Sequence, residues 1–297
     1  MKTCRNCGGM VPDNASFCQK CGAPVENNAM NGTGFVFNDQ YNGQGNNYGG
    51  NNMNYSSQPM RPGFFDRVLM KSNARLFYKN NTGACIGVSL ISLGITIVPT
   101  LLSTGAMDLA DSLDDTAFAG SIMGFISLIL YFAALAVSLL VQFATCSWYR
   151  KAIYSPLQAG DLIREGMDDT VGKLCTGLLM ALKTFLWTLL FYIPGIIKAY
   201  QYSMTPYIKS ENPRIGASRA IELSGIITNG HKWDLFVMDL SFYGWFILSG
   251  LTMNILGIIY VIPYYNSAKA FAYEDLKAQA IAMGKINPME LDPYAAY

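Results

Sequence analysis

The sequence predicts an all-α multi-pass membrane protein, with about six transmembrane helices in three hairpins, interfacial amphipathic helices and a small metal-clipped head. Two observations carry most of this. Hydrophobic residues make up 51% of the 297 positions and charged residues only 14%, and the apolar runs concentrate in residues 82–275 while residues 1–81 are polar. A third is the pair of Cys-x-x-Cys knuckles at the N-terminus. The net charge of +1 averages over this division and points to no class of partner.

Of seven cysteines, four lie in CRNCGGMVPDNASFCQKCG, residues 4–22. Cys4, Cys7, Cys18 and Cys21 can supply two thiolates from each of two tight turns, which completes a tetrahedron around a d¹⁰ ion. Gly8 and Gly22 follow the second sulfur of each knuckle, where a side chain would hinder the turn. Two disulfides or a rubredoxin-like iron are the other readings of the same four residues. Met1, Lys2 and Thr3 lead to Cys4 without an apolar signal segment, so the head is expected in a reducing cytoplasm, which favours one structural zinc. Cys85, Cys146 and Cys175 stand in apolar segments as small hydrophobes.

With Pro12 and with Phe17 before Cys18, the stretch resembles the short zinc ribbon at the N-terminus of many bacterial membrane proteins. The resemblance implies a small β zinc ribbon over residues 1–26. Four protein ligands leave no open position for catalysis, and the ion would supply most of the folding free energy of so short a unit. Lys2, Arg5 and Lys20 are offset by Asp13, Glu26 and the thiolates, so nucleic acid is not an expected partner.

Residues 27–63 are rich in Asn, Gly and Tyr without periodicity, as a disordered tether is. A partner-binding segment is the sharper reading of its tyrosines. Next, FFDRVLMKSNARLFYKNN repeats Arg67, Lys71, Arg75 and Lys79 every four residues, a cationic stripe suited to anionic headgroups or, equally, to a solvated helix end.

Each crossing needs about 20 apolar residues. Residues 83–103 and 120–148 meet this clearly, and the loop between them carries Asp108, Asp111, Asp114 and Asp115. Residues 174–208 are too long for one span and break at YIPG, residues 192–195; residues 233–275 divide at GLTMNILG. Six spans place Arg150, Lys151, Arg164, Lys173, Lys209, Arg214, Arg219, Lys232 and Lys277 on one side, whereas five would strand several of them on the other. Both termini are therefore expected in the cytoplasm of a bacterial cell, with the body in its plasma membrane. Residues 194–208 are short enough to be re-entrant.

An interfacial helix is expected before each hairpin, over residues 64–79, 156–168 and 213–229. In the last, Asn212 is a candidate cap, Pro213 suits the first helical position and Gly230 ends the helix. The body is bounded at residues 64–284, with 285–297 as a flexible tail.

YIPGIIKAYQYSMTPYIKSENP, IGASRAIELSGIITNGHKWDLFVMDLSFYGW and IPYYNSAKAFAYEDL resemble the integral-membrane family known as domain of unknown function 975. Asn229 and Tyr243 depart from its pattern. The resemblance implies a multi-pass membrane protein and carries over no catalytic residue.

Within the membrane, Lys183 and Asp239 are the sharpest candidates for a polar site, a substrate or ion pair, with a packing salt bridge or a snorkelling lysine as the structural alternatives. His231, Lys232 and Trp233 read as interfacial anchors. No nucleophile and base pairing, glycine-rich phosphate loop or HExxH occurs, so no enzyme is expected. Two functions remain. The first, which the closed metal site, the long tether and the scarcity of intramembrane polar residues favour, is a non-catalytic scaffold or regulator whose ribbon docks a protein partner. The second is a small-molecule, ion or lipid transporter, which would need a polar cavity lined by Lys183, Asp239 and Asn254.

Overall fold

A computed structural model describes residues 2–3, 10–11, 63–112 and 117–292, which fall in two compact units. In the N-terminal unit, β1 (Lys2–Thr3) and β2 (Met10–Val11) pair antiparallel, with Lys2 opposite Val11 and Thr3 opposite Met10. The four knuckle cysteines and the tether 27–62 lie outside the described residues.

The second unit is helical. Its elements are α1 (Arg67–Asn80), α2 (Thr82–Ser112), α3 (Ala117–Ala152), α4 (Asp161–Met167), α5 (Thr170–Leu190), α6 (Tyr192–Tyr202), α7 (Thr205–Glu211), α8 (Ala217–Ile227), α9 (Lys232–Leu251) and α10 (Ile262–Ala282). A π-helical turn, Gly257–Val261, precedes α10, and a 3-10 turn, Pro288–Leu291, follows it.

Four helices, α2, α3, α5 and α9, are long and apolar enough to cross a bilayer. Six had been expected. The difference lies in the return legs of the second and third hairpins. α6 has 11 residues, about 16 Å at 1.5 Å per residue, half of a hydrocarbon core. The other, α10, buries Lys269, Glu274 and Gln279 together with its apolar residues, so its composition is that of a core helix.

The hairpins themselves form. α2 and α3 run antiparallel, as the approach of Ser92 and Thr145 hydroxyls at 3.5 Å shows across the connecting loop. Phe191 alone, extended at φ −154° and ψ 134°, separates α5 from α6. A Cβ added at Gly195 would lie 2.8 Å from the Thr188 Cα, whereas residues seven apart in one helix are separated by about 10 Å, so the chain has turned back on itself. Hence the break falls just before YIPG, and Pro194 sits in the first turn of α6, where its missing N–H is harmless. Between α9 and the π-helical turn, Met253 and Asn254 take positive φ.

α1 is N-capped by Asp66, whose carboxylate accepts from the Val68 and Leu69 amides. Met70, Asn73, Ala74 and Phe77, spaced as one helical face, are buried, with Phe77 edge-on to Phe271 of α10. α1 therefore packs on α10 through this face. Small residues in α10, among them Ala268, Ala270 and Ala272 with no exposure, allow close packing of neighbouring helices.

The third interfacial helix is shorter than expected. α8 starts at Ala217 after Gly216, while Asn212 accepts from the Arg214 amide and donates to the Glu290 carbonyl. Residues 285–292, expected as the start of a flexible tail, instead pack: Ile286 and Leu291 are buried and Glu290 pairs with Arg219 at 2.7 Å.

Buried ion pairs tie the hairpins together at one end of the bundle. Glu211, at the end of α7, accepts from Lys277 at 2.6 Å and Tyr273 at 2.7 Å, both on α10, and from Arg150 of α3 at 3.3 Å. Lys277 also reaches Glu274 at 2.5 Å. Beside this cluster, Glu165 of α4 accepts from Lys151 at 2.7 Å and Ser147 at 2.5 Å, and Lys209 pairs with Asp169 at 2.8 Å. Burial alone would raise the Glu211 pKa, but Lys277 and Arg150 outweigh it and hold the carboxyl below its ordinary value. Glu165 is likewise lowered against its burial by Lys151 and Ser147.

Because both folded-state values are depressed, the stabilisation is present above the ordinary carboxyl pKa of 4.5 and is lost as pH falls through the folded values. Melting in detergent is therefore expected to stay level near neutrality and to drop on acidification below about pH 4.5. Breaking a buried pair costs about 3–5 kcal/mol. Since Lys277 keeps Glu274, Glu211→Gln should fall toward the lower end of that range and flatten the acid limb; an unchanged pH profile would show that the cluster is not stabilising.

Candidate functional site

All three hairpins contribute to a cavity of about 700 Å³. Phe143 and Cys146 line it from α3, Gly177 and Ala181 from α5, Tyr200 from α6 and Tyr207 from α7. The space exists because small residues (Gly177, Ala181, Ala199 and Ser203) face it at positions where larger side chains would fill a helix interface. Asp239 of α9 and Lys269 of α10 bring opposite charges to its wall.

These two side chains form an ion pair. The Lys269 ammonium lies 2.9 Å from Asp239 Oδ1 and donates to Oδ2 at 3.0 Å, with side-chain exposures of 10% and 22%. It also stands over the Tyr200 and Tyr265 rings, 5.7 and 5.6 Å from their centroids. Both tyrosines interact with the same carboxylate. Aromatic faces and a carboxylate thus hold one ammonium from several sides.

The partner expected for Asp239 was Lys183, and this pairing does not form. Gly177, Met180, Ala181 and Thr184 of α5 line the cavity, and Lys183 is turned roughly 110° from the centre of that face at about 100° per residue. Asn254 is also absent from this cavity. It lines a second one of about 220 Å³ with Ser89, Ser92, Thr96 and others, and there Asn254 Oδ1 accepts from Ser249 at 2.7 Å. Thr145 and Asn266 line both cavities. No described residue hydrogen-bonds to the Asn266 amide.

The expected membrane-facing residues divide. Lys71 lies 4.8 Å over the Phe242 ring and Arg75 5.9 Å over Tyr264, so half of the cationic stripe rests on the protein's own aromatics. Burial and then Arg75 and Arg67 lower the Lys71 pKa, as crowded like charges should. Arg67 is half-buried, Lys79 exposed and Lys232 half-buried. Trp233 is exposed, as an anchor would be. His231 is buried against Phe65, with Nδ1 at 3.4 Å from Asp234 Oδ2, and is a packing residue. Among the described residues no cluster of His, Cys, Asp and Glu could hold a metal ion.

The model of a family described as protein of unknown function DUF975 matches residues 121–280, more than half of the chain. The chain belongs to the DUF975 family. A zinc-ribbon domain model matches residues 3–25. No curated protein and no solved structure matches. The DUF975 region contains every residue lining the larger cavity, and also Arg150, Glu211 and Lys277 of the charged end. α2, which lines only the smaller cavity, lies outside it.

Sequence reasoning on this DUF975 chain missed Lys269 because it sits in NSAKAFAYEDL, which reads as a helix end with nearby acids. The available signal was its apolar face: Lys269 and Tyr265, at i and i−4, share one side of α10. Asp239→Asn and Lys269→Met are each expected to lower the melting temperature more than the charge-neutral double variant, since each alone strands one buried ion. Additive losses in that double-mutant cycle would mean that the two charges do not interact.

Proposed function

We propose that the helical body is a membrane-embedded binding module of transporter type, with the zinc ribbon as its accessory head. The observation that supports this is the cavity of about 700 Å³ bounded by all three hairpins and carrying the Asp239–Lys269 pair. An anchor has no need of such a space: intramembrane charges are costly and belong as a rule to substrate or ion pathways. The volume is within the range of small-molecule sites. Of the two readings reached from the sequence, the one that required a polar cavity is favoured, with Lys269 in the place expected for Lys183. The reading needs no catalytic step.

In this reading the short return legs, α6 with α7 and the π-helical turn with α10, bring the chain back to its starting side. Both termini then share the cytoplasmic face of the plasma membrane with the charged end of the bundle, as the positive-inside rule asks. Arg67 and Lys79 remain for anionic headgroups.

For the head, the donor set of Cys4, Cys7, Cys18 and Cys21 fits one zinc ion, and the match to a zinc-ribbon model over residues 3–25 supports that reading. The ion holds the head folded, and the head is the surface for a protein partner. Purified full-length protein should carry one zinc per chain, and Cys4→Ser/Cys7→Ser should lose it while melting of the helical body is unchanged; retention of the metal would remove these residues from the site.

Thr184→Cys and Ala181→Cys test the binding reading directly. A membrane-impermeant methanethiosulfonate should modify both from one face of the membrane, located by peptide mass spectrometry, whereas Lys183→Cys, turned from the cavity, should label less. Protection of all three from both faces would mean a sealed packing void, and would return the body to the role of scaffold.

A further inference from the structure

Taking the cavity as a binding site, we infer that its ligand is a zwitterion whose ammonium engages Asp239 and whose anionic group engages Lys269. The argument is one of charge balance. The pair is neutral, its members lie 2.9 Å apart and both are largely withdrawn from solvent. A simple cation that displaced Lys269 from the carboxylate would leave a buried ammonium unpaired; a simple anion would leave the carboxylate unpaired. Either is heavily penalised at low dielectric. Only a ligand bearing both charges can open the pair and repay each ion with a new partner.

The surroundings fit that chemistry. Tyr200 and Tyr265 present ring faces to an ammonium and interact with the Asp239 carboxylate, so an incoming ammonium would find the same aromatic support that Lys269 now has. The exposed Gln142 and the half-buried Asn266 bring side-chain amides to the wall. Such amides can donate to and accept from a polar guest. The remaining wall, with Leu139, Phe143 and Met180, accepts an apolar substituent. The same pair of charges is carried by a free α-amino acid and by the headgroup of phosphatidylethanolamine.

Full-length protein in nanodiscs would be tested by thermal melting against matched probes. Leucine is compared with isoamylamine and 4-methylpentanoate, its two singly charged halves; glycerophosphoethanolamine, which keeps the phosphodiester of the lipid headgroup, is compared with ethanolamine and dimethyl phosphate. A lipid source is read by reconstituting into phosphatidylethanolamine or phosphatidylglycerol discs. At least one zwitterion, free or as lipid, should raise the melting temperature, with the singly charged halves at least tenfold weaker. Asp239→Asn/Lys269→Met, which stays neutral, should fold and lose that shift. Asp239→Asn alone should come to prefer the anionic half and Lys269→Met the cationic one.

Equal stabilisation by a singly charged probe, no response to any zwitterion, or a response that survives in the double variant would each overturn the inference. Because thiol labelling reports access independently of ligand, a labelled cavity with no zwitterion response rejects the ligand class and not the binding site.

Discussion

Glu211 is the point on which the arrangement of the helices depends. Its carboxylate is buried and accepts from Arg150, Tyr273 and Lys277, which arrive from 61, 62 and 66 residues away in sequence. A lone carboxylate in that position would be expensive; shared among two cations and a phenol it becomes a clamp. Lipid supplies no hydrophobic force to press transmembrane helices together, so polar contacts and close packing must set their positions. The clamp sets the spacing of α3, α7 and α10, and with it the cavity that those helices wall. Tyr207 stacked on Tyr273 at 5.2 Å links the two directly, since Tyr207 lines the cavity and Tyr273 donates to Glu211.

The same cluster explains what was legible in the sequence. Cations at one end of successive apolar runs were visible, and Arg150, Lys151, Lys173, Lys209 and Lys277 do gather at one end of the bundle. Their use was not visible. A positive-inside count treats each as a solvated loop charge, whereas Lys209 is buried and donates to the Ile215 carbonyl at 3.0 Å as well as pairing with Asp169. Apolar runs, hairpin breaks and the three short helices follow from local composition and were found. Partners such as Glu211 with Arg150, or Asp239 with Lys269, are set by which faces meet across the bundle, and helical spacing alone cannot supply that.

The span count shows a related limit. Hydropathy separates α2, α3, α5 and α9 from the rest because their surfaces face lipid, leaving Leu101, Phe125, Phe185 and Leu240 among many exposed apolar side chains. α10 is as long as α5, yet Ser267, Lys269, Glu274 and Gln279 are buried on its protein-facing surfaces. A helix surrounded by protein may carry polar groups that a lipid-facing helix cannot, and its average composition then hides its place in the body.

The single-residue turn at Phe191 has a consequence for how the protein is made. Leu189, Leu190, Phe191, Tyr192 and Ile193 form an exposed hairpin tip without a charge, while the first hairpin holds Asp108 and Asp111 close to its turn. Moving aspartates through a bilayer requires a hydrophilic conduit during synthesis. The second hairpin has no such cargo at its tip, so the barrier that two carboxylates set for the first turn is missing there.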